Sequence, residues 1–509
     1  MELPLLDNAQ HTQGTVLIGL GEDTSPGKAP FCGAGAGTTS LPLPKSGEQY
    51  RFHFDMTRCI GCKCCVVACN EQNGNPADIL WRRVGEIEGG SYPHTQRHYL
   101  SVGCNHCLEP ACLTGCPVDA YSKDPLTGIV RHNPDACIGC QYCTWNCSYG
   151  VPQFNPDRGV VGKCDMCHGR LMDGQSPACV AACPEGAIQI EIVRIDAWRK
   201  EYKQSANSPG MPSADDSLST TRFTLPDADD RSLRRVDTAR LQLESPHWPL
   251  IAMTVLTQLS AGAFAAIGWM QAFGAGAPRA AALIALLIAF CALAASTLHL
   301  GRPIHAVRAL KMWRRSWLSR EVLLFTLFAA AATLDSFCLW TGIAHAAIPT
   351  LATALFGMAG VGASARLYLT PGRPTWNSPF TVLEFFATTI LLGAAADNLM
   401  GTAFPWPLPA CGLGCLLVLS VKLLWLAFST TRERYGSWQL LSTVLFTRLM
   451  LRIGLLTAGL WIFVAGQHVW MHAAAAGFLL TGEFLGRYLF FVSVVPTSIA
   501  SDFLAQEAP

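Results

Sequence analysis

Net charge is nearly absent from this chain: its 509 residues carry a formal +1, which removes any global electrostatic case for a nucleic-acid partner. The N-terminus MELPLLDNAQ lacks a basic region, an apolar core and a twin-arginine pair. The reading therefore expects no export signal of the chain's own and thiols kept reduced, unless a partner exports it. A secreted disulfide scaffold is disfavoured on the same ground. No nucleophile–base constellation stands out, so bond-breaking chemistry is not expected here. Cysteine is scarce in only one half. Of 22 cysteines, 18 precede residue 200 and four follow it.

Composition divides the chain. Residues 1–50 hold Gly, Pro and Ser clusters without a sustained period and read as an N-terminal extension, in which Cys32 is an isolated thiol. Residues 51–200 form a cysteine domain. Residues 201–246 are polar, rich in Pro, Ser and Asp, and free of cysteine, and read as a linker. From 247 to 499, apolar stretches near bilayer length recur at approximately 250–272, 280–298, 321–342, 347–369, 380–400, 406–428, 451–470 and 473–495. Eight such stretches predict a membrane-spanning bundle rather than buried helices of a water-soluble core.

Lysine and arginine are distributed unevenly among the loops. The second–third connection carries six, the fourth–fifth Arg366 and Arg373, and the sixth–seventh Arg432, Arg434, Arg448 and Arg452, while the loops of the opposite side hold Arg279. This bias places the even loops, the cysteine domain and the C-terminus on the cytoplasmic side of a bacterial inner membrane.

Four cysteine groups fill the first half. Cys59, Cys62, Cys65 and Cys69 follow C-x2-C-x2-C-x3-C spacing, leaving Cys64 over, and Cys137, Cys140, Cys143 and Cys147 repeat it. Between and after them stand Cys104, Cys107, Cys112, Cys116 and Cys164, Cys167, Cys179, Cys183. The x2-x2-x3 run is the bacterial ferredoxin pattern, in which three close thiolates hold one cube and the fourth serves another. Zinc is the competing metal, since separated C-x2-C pairs also build four-cysteine zinc sites. Groups one and three share CIGC, and groups two and four share PAC-x3-CP, which indicates an internal duplication. Sixteen ligands then make four [4Fe-4S] clusters, which suit an electron relay. His106, His168, Tyr142 and Trp145, lying between ligands, read as packing or as groups that tune potential.

These motifs, "CNHCLEPACLTGCP", "CIGCQYCTWNCSYGVPQFN" and "KCDMC…PACVAACPEGAI", resemble the electron-transfer subunit of molybdenum oxidoreductases of the dimethyl sulfoxide reductase type over about residues 50–200. The resemblance implies that motifs one and four pair, as do two and three. Cys59, Cys62 and Cys65 would then join Cys183; Cys164, Cys167 and Cys179 join Cys69; Cys104, Cys107 and Cys112 join Cys147; and Cys137, Cys140 and Cys143 join Cys116, with the stretch 137–150 supplying two middle links of the relay. Ser148 stands where proline often follows the fourth cysteine. The second half, through "STLHLGRPIHAVRAL", "SWLSREVL" and "GEFLGRYLFF", resembles the same enzymes' membrane anchor, normally a separate polypeptide. The implied fold is a ferredoxin-like double dicluster α+β domain followed by an eight-helix transmembrane bundle. The implied partners are a molybdopterin catalytic subunit and a membrane quinone, menaquinone or ubiquinone, in an anaerobic respiratory complex.

A quinone site needs polar groups at membrane depth near a cluster. His299 and Glu321, flanking the second–third connection, are the candidates for proton exchange, with Arg366, Tyr368 and Arg448 to orient the carbonyls. His299 also reads as a helix cap, and Arg448 as an interfacial anchor. Glu483 and Arg487 read as an i,i+4 pair, with Glu384 a further charge inside a span, and Lys422 as a snorkelling side chain. Asp335 and Asp397 lie towards the far side. His345, His468 and His472 do not pair across the bilayer with His299, so no haem is expected. Direction stays open: a reductase would draw electrons from quinol, whereas a sulfite- or sulfur-oxidising relative would deliver them to quinone. A transporter with a cluster-bearing regulatory domain is the alternative of another class, although paired Gly/Pro-interrupted helices are missing.

Overall fold

Along the cysteine-rich half the chain runs β1 (Glu48–Asp55), α1 (Cys64–Asn73), β2 (Arg83–Ser91), β3 (His94–Val102), α2 (Ala111–Gly115), β4 (Tyr121–Lys123), β5 (Val130–His132), α3 (Tyr142–Asn146), β6 (Gln153–Asn155), β7 (Val160–Gly162), α4 (His168–Met172), α5 (Ala178–Ala181), β8 (Ile188–Arg194), α6 (Ile195–Ser205), β9 (Arg222–Thr224) and β10 (Arg234–Arg235). The computed structural model describes residues 42–226, 233–235, 241–272, 279–342, 347–401 and 407–498. Cys32 and His345 lie outside the described residues.

Strand β1 alternates Tyr50, Phe52 and Phe54, all buried, with polar residues. Burying each such ring stabilises the domain by about 1.5–3 kcal/mol. Its other face is covered too, where Arg51 pairs with Glu191 at 2.8 Å and lies over the Trp198 ring of α6. β1 is central in the sheet β8-β1-β9, antiparallel to β8 and parallel to β9. A second sheet runs β10-β2-β3, and β4–β5 and β6–β7 are short hairpins.

The expected linker proves partly structural. Residues 201–226 complete α6 and add β9 to the domain, and Trp198, Tyr202 and Ala214 share a core. Their polar composition is used: Thr220 and Thr221 donate hydroxyls to the backbone and side chain of Asn105, and Ser217 donates to Cys107 Sγ at 3.0 Å.

Among the described residues eight helices are long and apolar enough to cross a membrane. They are α7 (Trp248–Ala272), α8 (Arg279–Leu298), α9 (Trp317–Thr341), α10 (Ala347–Leu367), α11 (Pro379–Leu399), α12 (Leu408–Ala427), and, after the short amphipathic α13 (Arg432–Ser442), α14 (Phe446–Ala465) and α15 (Val469–Val492). The seventh span begins five residues before the expected 451, because Arg452 is buried inside the bundle and the helix extends past it to Phe446.

Helices α7–α10 form one four-helix unit, and α11, α12, α14 and α15 a second. They meet where α7 crosses α11. There Gly262 faces Gly393, and a Cβ on Gly262 would stand 2.9 Å from Gly393 Cα, so small residues let the backbones touch.

The cysteine domain sits on the near-side ends of the first unit. The α8–α9 connection binds the Cys137–Cys140 loop directly: Gly301 N–H donates to the Gly139 carbonyl at 3.3 Å and Arg302 N–H to that of Ile138 at 3.1 Å. Arg302 and Arg308 side chains donate to the carbonyls of Pro134 and Asp135, and Arg315 pairs with Asp119. Three arginines of the basic loop therefore hold the domain.

Candidate functional site

The cysteine loops turn on the same left-handed steps in both halves of the duplication. Gly61 and Lys63 have φ of 71° and 59°, and Gly139 and Gln141 have φ of 69° and 59°. Helices α1 and α5 pack together, as do α2 and α3, which brings motif one to motif four and motif two to motif three.

Four quartets result. Cys59, Cys62, Cys65 and Cys183 line one cavity, and Cys104, Cys107, Cys112 and Cys147 line another. Cys69 is neighboured by Cys167 and Cys179, and Cys164 by Cys69 and Cys179; Cys140 is neighboured by Cys116 and Cys137, and Cys143 by Cys140 and Cys137. Burial pushes the Cys69 and Cys140 thiols up to about 12. Thiolates in such surroundings require a cationic load.

Backbone amides aim at the sulfurs in duplicate. Ala120 and Ala187 donate to Cys116 and Cys183, four residues earlier, at 3.3 and 3.2 Å. Gly139 and Met166 donate to Cys137 and Cys164, two residues earlier, at 3.4 and 3.3 Å. Amide-to-sulfur bonds of this kind suit iron–sulfur clusters and raise their potential.

The quartets form a row. Cys112 neighbours Cys143, Cys104 neighbours Cys164, and Cys179 neighbours Cys65. The quartet of Cys137, Cys140 and Cys143 stands at the membrane end of that row and the Cys59 quartet, with Cys62 exposed, at the other. This corrects the expectation that the 137–150 stretch supplies two middle links: it supplies the membrane-proximal quartet and, through Cys147, the next.

Two buried cations lie within the row. Lys163 donates to the carbonyls of Val130 and Cys164 and lies 3.7 Å from Cys104 Sγ. Arg82 donates to Ser101 at 3.1 Å; burial pulls its pKa down, but the sulfurs of Cys179, Cys65, Cys164 and Cys69 override that and raise it. His106 is fully buried, and its Nδ1 accepts the Val130 N–H at 3.1 Å. The ring proton must then sit on Nε2, 3.9 Å from Cys164 Sγ. Burial and the Lys163 charge hold its pKa well below the ordinary value, so the ring is a neutral donor towards a sulfur. His168 faces Asp124 at 3.6 Å instead. Ser148, in the position where proline was expected, accepts Thr497 on its carbonyl at 3.1 Å, a contact between domain and bundle.

At the junction of domain and bundle lies a cavity of about 220 Å³. The domain contributes Cys140, Tyr142 and Trp145, the α8–α9 connection His299, α9 Glu321, and the end of α10 Tyr368. His299 does not cap its helix outward. Its ring stacks on Trp145 at 6.3 Å, stands 5.2 Å from that of His247, and leaves Nε2 buried without a partner. Burial pushes its pKa down to about 4, His247 adds to the shift, and a hydrogen bond with the Cys140 backbone opposes it. The imidazole is neutral at pH 7. Tyr142 donates to the Leu367 carbonyl at 3.0 Å, so both it and Trp145 serve this junction rather than only packing a cluster.

Two expected members are elsewhere. Arg366 donates to the Leu369 carbonyl and lies over the Trp317 ring, and Arg448 binds the Tyr488 hydroxyl; neither lines the cavity. Both stand at exposed span ends, where a guanidinium finds water or an aromatic rim more readily than an apolar cavity. Glu483 and Arg487 do not form the expected i,i+4 pair: Glu483 accepts from Thr388 at 2.6 Å and faces Arg452 at 4.0 Å, and Arg487 donates to Gln258 at 3.0 Å. Lys422 does not snorkel; it is buried and pairs with Glu384 at 2.7 Å. Asp335, bonded to Thr350, and buried Asp397 lie in the far half. His468 and His472 begin α15 at that far end.

Sequence reasoning missed His247, Arg82 and Lys163. The last adjoins a ligand in "GKCDMC" and was the most discoverable.

Comparison with known proteins follows the same division. Residues 95–192 match the 4Fe-4S dicluster domain family, and residues 243–404 match the DMSO reductase anchor subunit (DmsC) family. The sequence is 38% identical over 177 residues to the B component of the anaerobic dimethyl sulfoxide reductase of Haemophilus influenzae, covering 33% of this chain and 85% of that protein. It is 36% identical over 175 residues to the thiosulfate reductase electron transfer subunit PhsB of Salmonella typhi, covering 33% and 91%. With the B component of the sulfite dehydrogenase of Allochromatium vinosum it shares 35% over 160 residues, covering 27% and 67%.

Proposed function

Since the polypeptide belongs to the family of iron–sulfur electron-transfer proteins typified by the B component of dimethyl sulfoxide reductase, and carries that enzyme's type of anchor as well, we propose that it relays electrons between a membrane quinone and a separate molybdopterin catalytic subunit. Iron–sulfur clusters, when bound, supply one-electron steps at potentials set by their surroundings. Sixteen cysteines in four quartets would hold four [4Fe-4S] clusters. The observation that carries the reading is the junction cavity, which is lined by Cys140, a cysteine of the membrane-proximal quartet, together with His299, Glu321 and Tyr368.

In that cavity Nε2 of neutral His299 accepts or returns a proton at a quinone oxygen, and the Glu321 carboxyl is the other proton-handling group. The Tyr142 and Trp145 rings close the space between cavity and cluster loop and exclude water. The exposed Cys62 end, beside exposed Ile60 and Val67, is where the catalytic subunit would take or supply electrons. The arginine-rich near-side loops support a bacterial inner membrane with the cluster domain in the cytoplasm. Relatives named for dimethyl sulfoxide, thiosulfate and sulfite leave the substrate and the direction of flow to the partner.

The test is stopped-flow bleaching of the clusters by a short-chain quinol in the purified protein. His299→Ala and Glu321→Gln are each expected to slow it by about a hundred-fold, the range of a lost acid–base group, with dithionite reduction unchanged. Wild-type rates in both variants would exclude this cavity as the quinone site.

A further inference from the structure

The second four-helix unit contains a charge cluster that the relay does not use. Lys422 on α12, Arg452 on α14, and Glu483 and Arg487 on α15 are buried, and Glu384 on α11 joins them with 10% of its side chain exposed. They lie roughly 8–15 Å along their helices from the near-side ends, at 1.5 Å per residue. Charges at that depth are costly and are functional candidates by default. Leucine-rich cores bound the cluster along the helices: Leu391, Leu456, Leu460 and Leu479 towards the far side, and Leu426, Leu449 and Leu489 towards the near side. Its polar contact with the first unit is Arg487 to Gln258 of α7, the helix whose Leu250 and Met253 line the junction cavity. Arg487 also lies 3.8 Å above the Phe385 ring, which is 5.6 Å from that of Tyr368 in the cavity wall.

Counting charges makes the cluster odd. Two carboxylates face three cations, and the two arginines stay protonated at any accessible pH. Glu384 and Glu483 balance Arg452 and Arg487, so the remaining positive charge is the proton on Lys422, held against Glu384 at 2.7 Å and 5.6 Å from the Phe490 ring. Without that proton the cluster is neutral. Glu384 Oε1, Glu483 Oε1, Arg452 Nε and Arg487 Nε are buried without hydrogen-bond partners, so bonding capacity is in reserve for either state.

We propose that this cluster is a one-proton store for the junction cavity, with Lys422 as the group that loads and unloads. The idea rests on the quinone reading. Conversion of a quinol to a quinone gives two electrons, passed singly to the clusters, and two protons, of which one leaves through His299 and Glu321 and one loads neutral Lys422; quinone reduction runs each transfer in reverse. Lys422 acts through the surrounding charges and touches no reacting atom.

A purely structural ion pair and a proton store respond differently to substitution. In the purified full-length protein with its clusters, Lys422→Arg keeps the charge and the pair to Glu384 but cannot release a proton, whereas Lys422→Met keeps the volume and removes both. Bleaching of the clusters by a short-chain quinol is expected to slow about ten-fold or more in both variants, with a larger solvent deuterium effect than the wild type, since proton release becomes limiting. Dithionite reduction should remain unchanged. Restoration of the wild-type rate and deuterium effect by Lys422→Arg would overturn the store and leave the quinone reading standing. If the wild-type protein is not bleached by quinol at all, both ideas fall together.

Discussion

Cys140 belongs to two sites at once: it is a member of the membrane-proximal quartet and a wall of the junction cavity. Cys140→Ser is therefore expected to lower iron by about four atoms per chain, the content of one cube, and to abolish quinol bleaching of the clusters that remain. Dithionite should still reduce those, as iron analysis and visible spectra will show. At this scale the cysteine quartets were legible because most members of each come from a run of neighbours, and spacing survives in sequence. Arg82, His247, Tyr142 and Trp145 were not legible in their roles, since these depend on partners brought together by the fold; Tyr142 meets Leu367 across 225 positions. Arg366 and Arg448 were misplaced for a related reason. An arginine at a span end reads the same whether it faces a ligand, water or an aromatic ring.

The eight spans announced themselves through length and hydropathy, signals that do not require a partner. The misread element is 201–226, where Ser, Thr and Asp composition suggested a tether but the hydroxyls bind Asn105 and Cys107 instead. Short edge elements bury one narrow face, and their polar residues look alike whether solvated or bonded. The α8–α9 connection is the element on which electron transfer should depend most. A Cβ on Gly301 would stand 2.3 Å from the Gly159 carbonyl oxygen and 2.9 Å from the Phe154 ring, so the contact tolerates no side chain. Gly301→Val is expected to push the cluster loop away from the cavity, slowing quinol bleaching by about ten-fold or more while the clusters keep their spectrum, since their ligands lie outside the displaced connection. Rapid-mixing spectroscopy on cluster-replete protein measures both.

Taken whole, the molecule couples a cluster domain to two four-helix units of different character, one with a cavity and one with a charge cluster. Fusion of two normally separate polypeptides removes the need for the domain to find its anchor by diffusion. The contact itself is built from the carbonyls of Gly139, Ile138, Pro134 and Asp135, all within or beside the loop that carries Cys137 and Cys140 of the membrane-proximal quartet. If that loop takes its shape from the iron it holds, metal supply would be a checkpoint in assembly. Until that loop is folded, Arg302 and Arg308 have no carbonyl pattern to grip, and the basic connection stays open to proteases. Cells starved of iron are expected to yield an inserted polypeptide cleaved near residues 302–315, and iron repletion during synthesis to protect it, as immunoblots of membranes will report. The arginines of that connection would then act as inspectors, admitting only a domain that has received its metal.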